Sequence, residues 1–148
     1  MKMLEQLKNL IKDNEYKMTI LANSSAFLNQ CLENINWLGF YLNIEGNLIL
    51  SSFQGKPACI KIPFNKGVCG YCARNQETII VDDVHSFAGH IACDSASKSE
   101  ICIPIILNGE LYGLLDVDSP ITARFSNNEK LFLEEAVKII TDALKNAK

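Results

Sequence analysis

Hydrophobic residues recur at helical spacing near the start of the chain. Leu4, Leu7, Leu10 and Ile11 share one face, and Ile20, Leu21, Phe27 and Leu28 continue the pattern. Asn23-Ser24-Ser25 is the expected break between two helices. From Asn36 the period shortens. Trp37–Leu42 and Leu48–Phe53 are rich in aromatic and aliphatic residues, and Glu45-Gly46-Asn47 joins them as a hairpin. A looser stretch carrying glycines and cysteines runs from Gln54 to Arg74, where Lys66-Gly67-Val68 reads as a loop feeding a short helix. Thr78-Ile79-Ile80-Val81 reads as a short buried strand.

The segment from Asp82 to Ser99 shows no periodicity and holds both histidines and a cysteine. Long irregular segments inside compact domains tend to be functional or disordered. Glu100–Leu107 and Glu110–Val117 then flank Asn108-Gly109, a strong two-residue hairpin signal. Ser126-Asn127-Asn128-Glu129 has the form of a capping box, opening a helix with Phe132, Ala136, Ile139, Ile140 and Ala143 on its apolar face. Helices, five or six mostly antiparallel strands and a closing helix make an α+β fold.

The 148 residues suit one core, so a single domain over residues 1–148 is expected. Hydrophobic residues at 48% and charged residues at 21% exclude wholesale disorder. A net charge of −3 without a basic tract argues against a nucleic-acid partner. No apolar run is long enough to span a bilayer, and the N-terminus is too charged for a signal-peptide core. A soluble, cytoplasmic protein with no membrane partner is therefore expected. In that compartment six cysteines point to metal binding, redox chemistry or packing rather than structural disulfides.

Two local cysteine readings compete. Cys69 and Cys72, followed after twelve residues by His85 and after four more by His90, satisfy a Cys₂His₂ zinc spacing. The core of a zinc finger needs apolar residues where Gln76 and Asp82 stand, and His85 follows a strand and turn. No metal is expected on that set, nor any other cofactor. A thioredoxin-like dithiol at Cys69-Gly70-Tyr71-Cys72 lacks the surrounding βαβ pattern, which favours Cys72 as a small buried hydrophobe.

Longer strings carry more. Asn36-Trp37-Leu38-Gly39-Phe40-Tyr41-Leu42, Phe53-Gln54-Gly55 with Ala58-Cys59, and Gly67-Val68-Cys69-Gly70 occur in this order. Asp83-Val84-His85, Gly89-His90-Ile91-Ala92-Cys93-Asp94, Ser97–Glu100 and Leu115-Asp116-Val117-Asp118-Ser119-Pro120 follow them. Together they resemble the free methionine-(R)-sulfoxide reductases, small stand-alone GAF-domain enzymes, from Trp37 to the last helix. The resemblance implies a GAF-like fold, with a central sheet flanked by N- and C-terminal helices. It implies thiol-dependent reduction of free L-methionine (R)-S-oxide, with Cys93 as the attacking thiol and Cys59 as its resolving partner in an intramolecular disulfide. Cys69 is the alternative partner. A thioredoxin-type reductant would recycle the disulfide. Cys31, Cys72 and Cys102 match none of that family's cysteines and read as packing residues.

That chemistry needs a thiolate, an acid for the departing oxygen and a second thiol. Cys93 stands in the irregular segment between His90, which would favour a thiolate, and Asp94, which would oppose it. Taken alone, Cys93 would read as an inert thiol. Asp116 and Asp118 lie two apart and so share a strand face. Such a pair can raise one carboxyl's pKa or bind an ammonium group; a solvated strand end is the plainer reading. The resemblance adds Glu100 to the pocket and leaves open which of the three is the acid. Trp37 and Tyr41 also share a strand face; the common reading is core, but the resemblance places both against the substrate, where sulfur–aromatic contact contributes about 0.3–1.5 kcal/mol.

If Asn108-Gly109 is a two-residue turn and the ladder is regular, Glu100 faces Val117 and points away from both aspartates. One irregularity is therefore expected between Glu100 and Asp118, at Pro104 or at the turn. A non-catalytic GAF sensory module is the alternative function. Pairing of the amphipathic terminal helices would give a homodimer.

Overall fold

The computed structural model describes residues 2–89 and 96–148. Helices α1 (Lys2–Ile11) and α2 (Lys17–Cys31) lead into strands β1 (Trp37–Ile44), β2 (Asn47–Gly55) and β3 (Lys61–Pro63). Helix α3 (Gly67–Asn75), strand β4 (Ile79–Val81) and a 3₁₀ turn at Val84–Ser86 follow. Strands β5 (Ser99–Leu107) and β6 (Glu110–Ser119) and helix α4 (Asn127–Leu144) complete the chain. The six strands form one antiparallel sheet in the order β3-β2-β1-β6-β5-β4. The α+β, GAF-like architecture is the one the hydrophobic periodicity and the resemblance led us to expect.

Helix α4 opens on the capping box: the Ser126 hydroxyl accepts from the helix backbone while the Glu129 carboxylate accepts from the Ser126 N–H at 2.7 Å. Both hairpin turns are two-residue loops with positive φ at each position, 54° and 81° at Glu45-Gly46 and 53° and 80° at Asn108-Gly109. That is the backbone whose twist matches the paired strands.

The helical break lies elsewhere than expected. The first helix stops at Ile11, with Asp13 in the left-handed region at φ 60°, and Ser24 and Ser25 lie buried inside α2. The Ser25 hydroxyl donates to the Ala22 carbonyl at 2.8 Å, so the serine stays within the helix. β4 is an edge strand rather than a buried one, with only Val81 buried.

The sheet divides the core. Leu38, Phe40, Ile101, Ile103, Ile105, Leu115 and Val117 pack against α1, α2 and α4. Trp37, Tyr41, Leu48, Cys102 and Leu114 face the other way, toward Val68, Cys69, Cys72 and Ala73 of α3.

One bulge decides what β6 presents to that second layer. Leu107 pairs with Glu110 and Ile106 with Leu111, but Ile105 pairs with Gly113, which leaves Tyr112 as the extra residue on β6. The expected irregularity thus exists between Pro104 and the turn rather than at either, and Pro104 itself pairs in register with Leu114. Beyond it Cys102 faces Asp116 and Glu100 faces Asp118.

Candidate functional site

All three carboxylates project from one sheet face. Along β5 and β6 the side chains alternate, so Glu100, Cys102, Asp116 and Asp118 point to the side of Trp37 and Tyr41, which pair with Asp118 and Leu114. Burial is deep at one end and lighter at the other: Cys102 is fully enclosed, Asp116 and Glu100 are 5% and 7% exposed, and Asp118 is half-buried.

The aromatic wall rests on a glycine. The Trp37 ring stacks against Phe53 at 5.3 Å and against Tyr41 at 5.9 Å between centroids. A Cβ at Gly39 would lie 2.3 Å from the Phe53 Cβ and 2.7 Å from the Trp37 ring, so only glycine fits beneath the stack. Both polar ends of the wall hold the segment that follows β2. The Trp37 indole N–H donates to the Lys56 carbonyl at 3.1 Å, and the Tyr41 hydroxyl donates to the Cys59 carbonyl at 2.7 Å. Tyr41 therefore positions the Cys59 backbone as well as forming wall. Burial, with the charges of Asp116, Cys69, Asp118 and Glu100, raises its phenol pKa and keeps it a donor.

Beneath the wall, α3 supplies Cys69. Its Sγ lies 3.6 Å from the Cys102 Sγ and 3.7 Å from Glu100 Oε2. The Cys102 thiol faces Asp116 Oδ1 at 3.1 Å and Glu100 Oε2 at 3.6 Å. The Cys102 hydrogen bond draws the Cys69 thiol down, but burial and the charges of Asp116 and Asp118 outweigh it and leave it at about 11. Burial also pushes the Cys102 thiol well up. Glu100 is held far above the ordinary carboxyl range, first by burial, then by the charges of Asp116 and Asp118 and a hydrogen bond with Asp116. Each of these causes favours the neutral carboxyl over the carboxylate.

Cys59 is half-buried, disulfide-bonded, and adjacent to Ile60, which is 76% exposed. Cys31, Cys69, Cys72 and Cys102 are free thiols. Cys72 is enclosed in the α3 layer and burial raises its pKa, in keeping with a packing residue. Cys102 is fully enclosed too, with its thiol against Glu100 and Asp116. Register reasoning alone could have found it, since it lies two residues from Glu100 on the same strand and hence on the same face. The expected nucleophile Cys93, with His90 and Asp94, lies outside the described residues. The His85 backbone N–H caps on Asp83 Oδ1 at 3.0 Å.

Residues 19–144 match the GAF domain model. The chain is 44% identical to the free methionine-R-sulfoxide reductase of Escherichia coli over 120 residues, spanning 81% of this chain and 73% of that one. The reduced form of fRMsr of Staphylococcus aureus is 50% identical, with a TM-score of 0.94 over 97% of this chain and 93% of the other. The free methionine-R-sulfoxide reductase of Neisseria meningitidis, solved in complex with its substrate, is 37% identical, with a TM-score of 0.94 over 98% and 87%. On sequence and fold together, the chain belongs to the GAF-domain family and, within it, to the free methionine-R-sulfoxide reductases.

Proposed function

We propose that this protein reduces free L-methionine (R)-S-oxide to L-methionine through a cysteine sulfenic acid. The observation that carries the proposal is the placement of Glu100, a buried carboxyl opposite Asp118 on the face shared with Trp37, where burial and the charge of Asp116 push its pKa up. Sulfoxide reduction needs such a proton source for the oxygen and an apolar surface for the methyl thioether. Family membership supplies the reaction class.

In this reading the Cys93 thiolate attacks the sulfoxide sulfur while Glu100 protonates the oxygen. Oxygen passes to Cys93 as the sulfenic acid and methionine departs. The Cys59 thiol then displaces that oxygen as water, forming a disulfide, and a thioredoxin-type dithiol reduces it by exchange. The disulfide-bonded state of Cys59 and its exposed neighbour Ile60 support it as the partner that a protein reductant reaches. Cys69 is enclosed, free, and held at about 11, which disfavours it as the resolving nucleophile. Asp116 and Asp118 offer negative charge to the substrate's α-ammonium group, with Asp118 at the more open end. Among the described residues no helix is long and apolar enough to cross a membrane, which fits action on a dissolved amino acid in the cytoplasm. The exposed Met3 and Leu10 of α1 make terminal-helix pairing the proposed route to a homodimer.

The direct test is incubation with racemic methionine sulfoxide and dithiothreitol, followed by chiral separation. Loss of the R form with stoichiometric methionine is expected. Binding without conversion would make the protein a sensory module instead.

A further inference from the structure

Four metal-ligating side chains converge beneath the aromatic wall. The Sγ atoms of Cys69 and Cys102 and one carboxylate oxygen each of Glu100 and Asp116 all lie within 4.8 Å of one another. We propose that this cluster is a tetrahedral S₂O₂ site for a single thiophilic divalent ion of the zinc type, and that the ion acts as an inhibitor rather than a cofactor.

The distances carry the proposal. Zinc bonds run about 2.3 Å to thiolate sulfur and about 2.0–2.2 Å to carboxylate oxygen. Around a tetrahedron those lengths place sulfur about 3.8 Å from sulfur and about 3.5 Å from oxygen. Here the sulfurs are 3.6 Å apart, Glu100 Oε2 is 3.7 Å and 3.6 Å from them, and Asp116 Oδ1 is 3.1 Å from Cys102 Sγ. Of these four edges only the last must lengthen, by a few tenths of an ångström, and the two remaining edges, both to Asp116, lie within 4.8 Å. Two soft donors in a four-donor set disfavour calcium and magnesium, which take more ligands and all of them oxygen. Two thiolates and two carboxylates around a divalent ion leave a formal charge of −2, the same as in four-cysteine zinc sites.

The donors come from three separate elements, α3, β5 and β6, already in contact. The β6 bulge aligns the last of them, since it sets Asp116 opposite Cys102. Binding replaces the S–H and carboxyl protons with metal bonds and releases them to solvent. One consequence rests on the proposed reaction: a metal-bound Glu100 carboxylate has no proton to give, so the ion blocks sulfoxide reduction.

The test measures binding without substrate. The chain is reduced, freed of metal, and titrated with zinc against a chromophoric chelator. Cadmium titration reads the thiolate-to-metal absorption in the ultraviolet. One ion per chain is expected, with two sulfur and two oxygen neighbours by X-ray absorption. Cys102→Ala should weaken zinc by about 100-fold or more and halve the cadmium–thiolate band, as expected when a direct ligand is lost. Cys102→Ser, which keeps a polar side chain, controls for packing, and a zinc-dependent rise in Tm should be present in the parent and absent from it. Cys31→Ser/Cys59→Ser/Cys93→Ser should bind as the parent does. Zinc held by that triple variant's missing thiols, retained by Cys102→Ala, or lacking sulfur neighbours would overturn the site. Inhibition is a separate arm: one-to-one binding with undiminished turnover would leave the site standing and remove its inhibitory role.

Discussion

Glu100 stands directly opposite Asp118 across the β5–β6 ladder, two pairs along from Cys102 opposite Asp116 and on the same face. Like charges directly opposed on a sheet repel. Burial and the charges of Asp116 and Asp118 push the Glu100 carboxyl pKa up, which favours its neutral form and relieves that repulsion.

A first prediction follows for Glu100→Gln, which keeps the shape and removes the proton. Turnover should fall by roughly 10²–10⁴-fold, the usual contribution of a positioned acid, while substrate affinity changes far less. Stability should move the opposite way. The folded state holds the Glu100 proton more tightly than the unfolded chain does. Its contribution is therefore complete below the ordinary carboxyl pKa, about 4.3, and is lost as pH rises toward the raised folded value. Glutamine has no proton to lose, so the variant's stability advantage over the parent should grow with pH through that window. Denaturation midpoints measured across pH check this; parallel curves would mean that Glu100 is ionised in the fold.

The cysteines divide by step. Cys93→Ser should abolish methionine release even in a single turnover without reductant. Cys59→Ser should release one methionine per chain and then stall with thioredoxin as reductant. Cys69→Ser should recycle, because its thiol is enclosed and free. Cys72→Ala should keep both steps and lose stability by about 1–3 kcal/mol through a buried void. Quenched single-turnover assays separate these outcomes, and recycling lost only in Cys69→Ser would exchange the roles of Cys59 and Cys69.

Local chemistry made much of this legible. The capping box at Ser126 and Glu129 and the Asn108-Gly109 turn depend on residues a few positions apart, and both formed as the sequence implies. Ser24 and Ser25 misled because polarity suggested a break, whereas their small size lets α2 continue and pack. The site depended on a long-range register. The need for an irregularity was readable from the parity of Glu100 against Asp118, but its location at Tyr112 was not, since Pro104 offered a more visible disruption. The position of Cys102 opposite Asp116 was hidden for the same reason, since it exists only once the ladder is aligned. The helix at Cys69 was only faintly visible because glycines flank it. Gly70 is needed there because a Cβ would lie 2.6 Å from the Phe64 carbonyl oxygen.

Tyr41→Phe isolates the link between the wall and the proposed resolving cysteine, Cys59. It removes the 2.7 Å hydrogen bond to the Cys59 carbonyl and leaves the ring in place. A net loss of about 0.5–1.5 kcal/mol in holding that segment corresponds to a roughly two- to twelvefold slower disulfide-forming step. The first turnover should stay near the parent rate. Stopped-flow traces that slow equally in both steps would instead assign the hydroxyl to substrate binding.

Selectivity for the free amino acid should follow from where charge sits. Asp118 lies opposite Trp37 on one side and Glu100 on the other, so the proposed ammonium-binding position adjoins both the aromatic wall and the proposed acid. A free substrate places its α-ammonium there and its methyl thioether against the rings. An N-acetylated or peptide-bound methionine sulfoxide has no such charge, and a carboxylate would face an amide instead. Each polar group left unpaired costs about 1–3 kcal/mol, which predicts a roughly 5- to 150-fold loss in kcat/KM for N-acetylation alone. Asp118→Asn should narrow that gap by lowering the rate on the free amino acid while leaving the acetylated one little changed. Comparable kcat/KM for free, acetylated and peptide-bound sulfoxide in the parent would show that the aspartates do not read the ammonium group, and their role would reduce to holding the Glu100 proton.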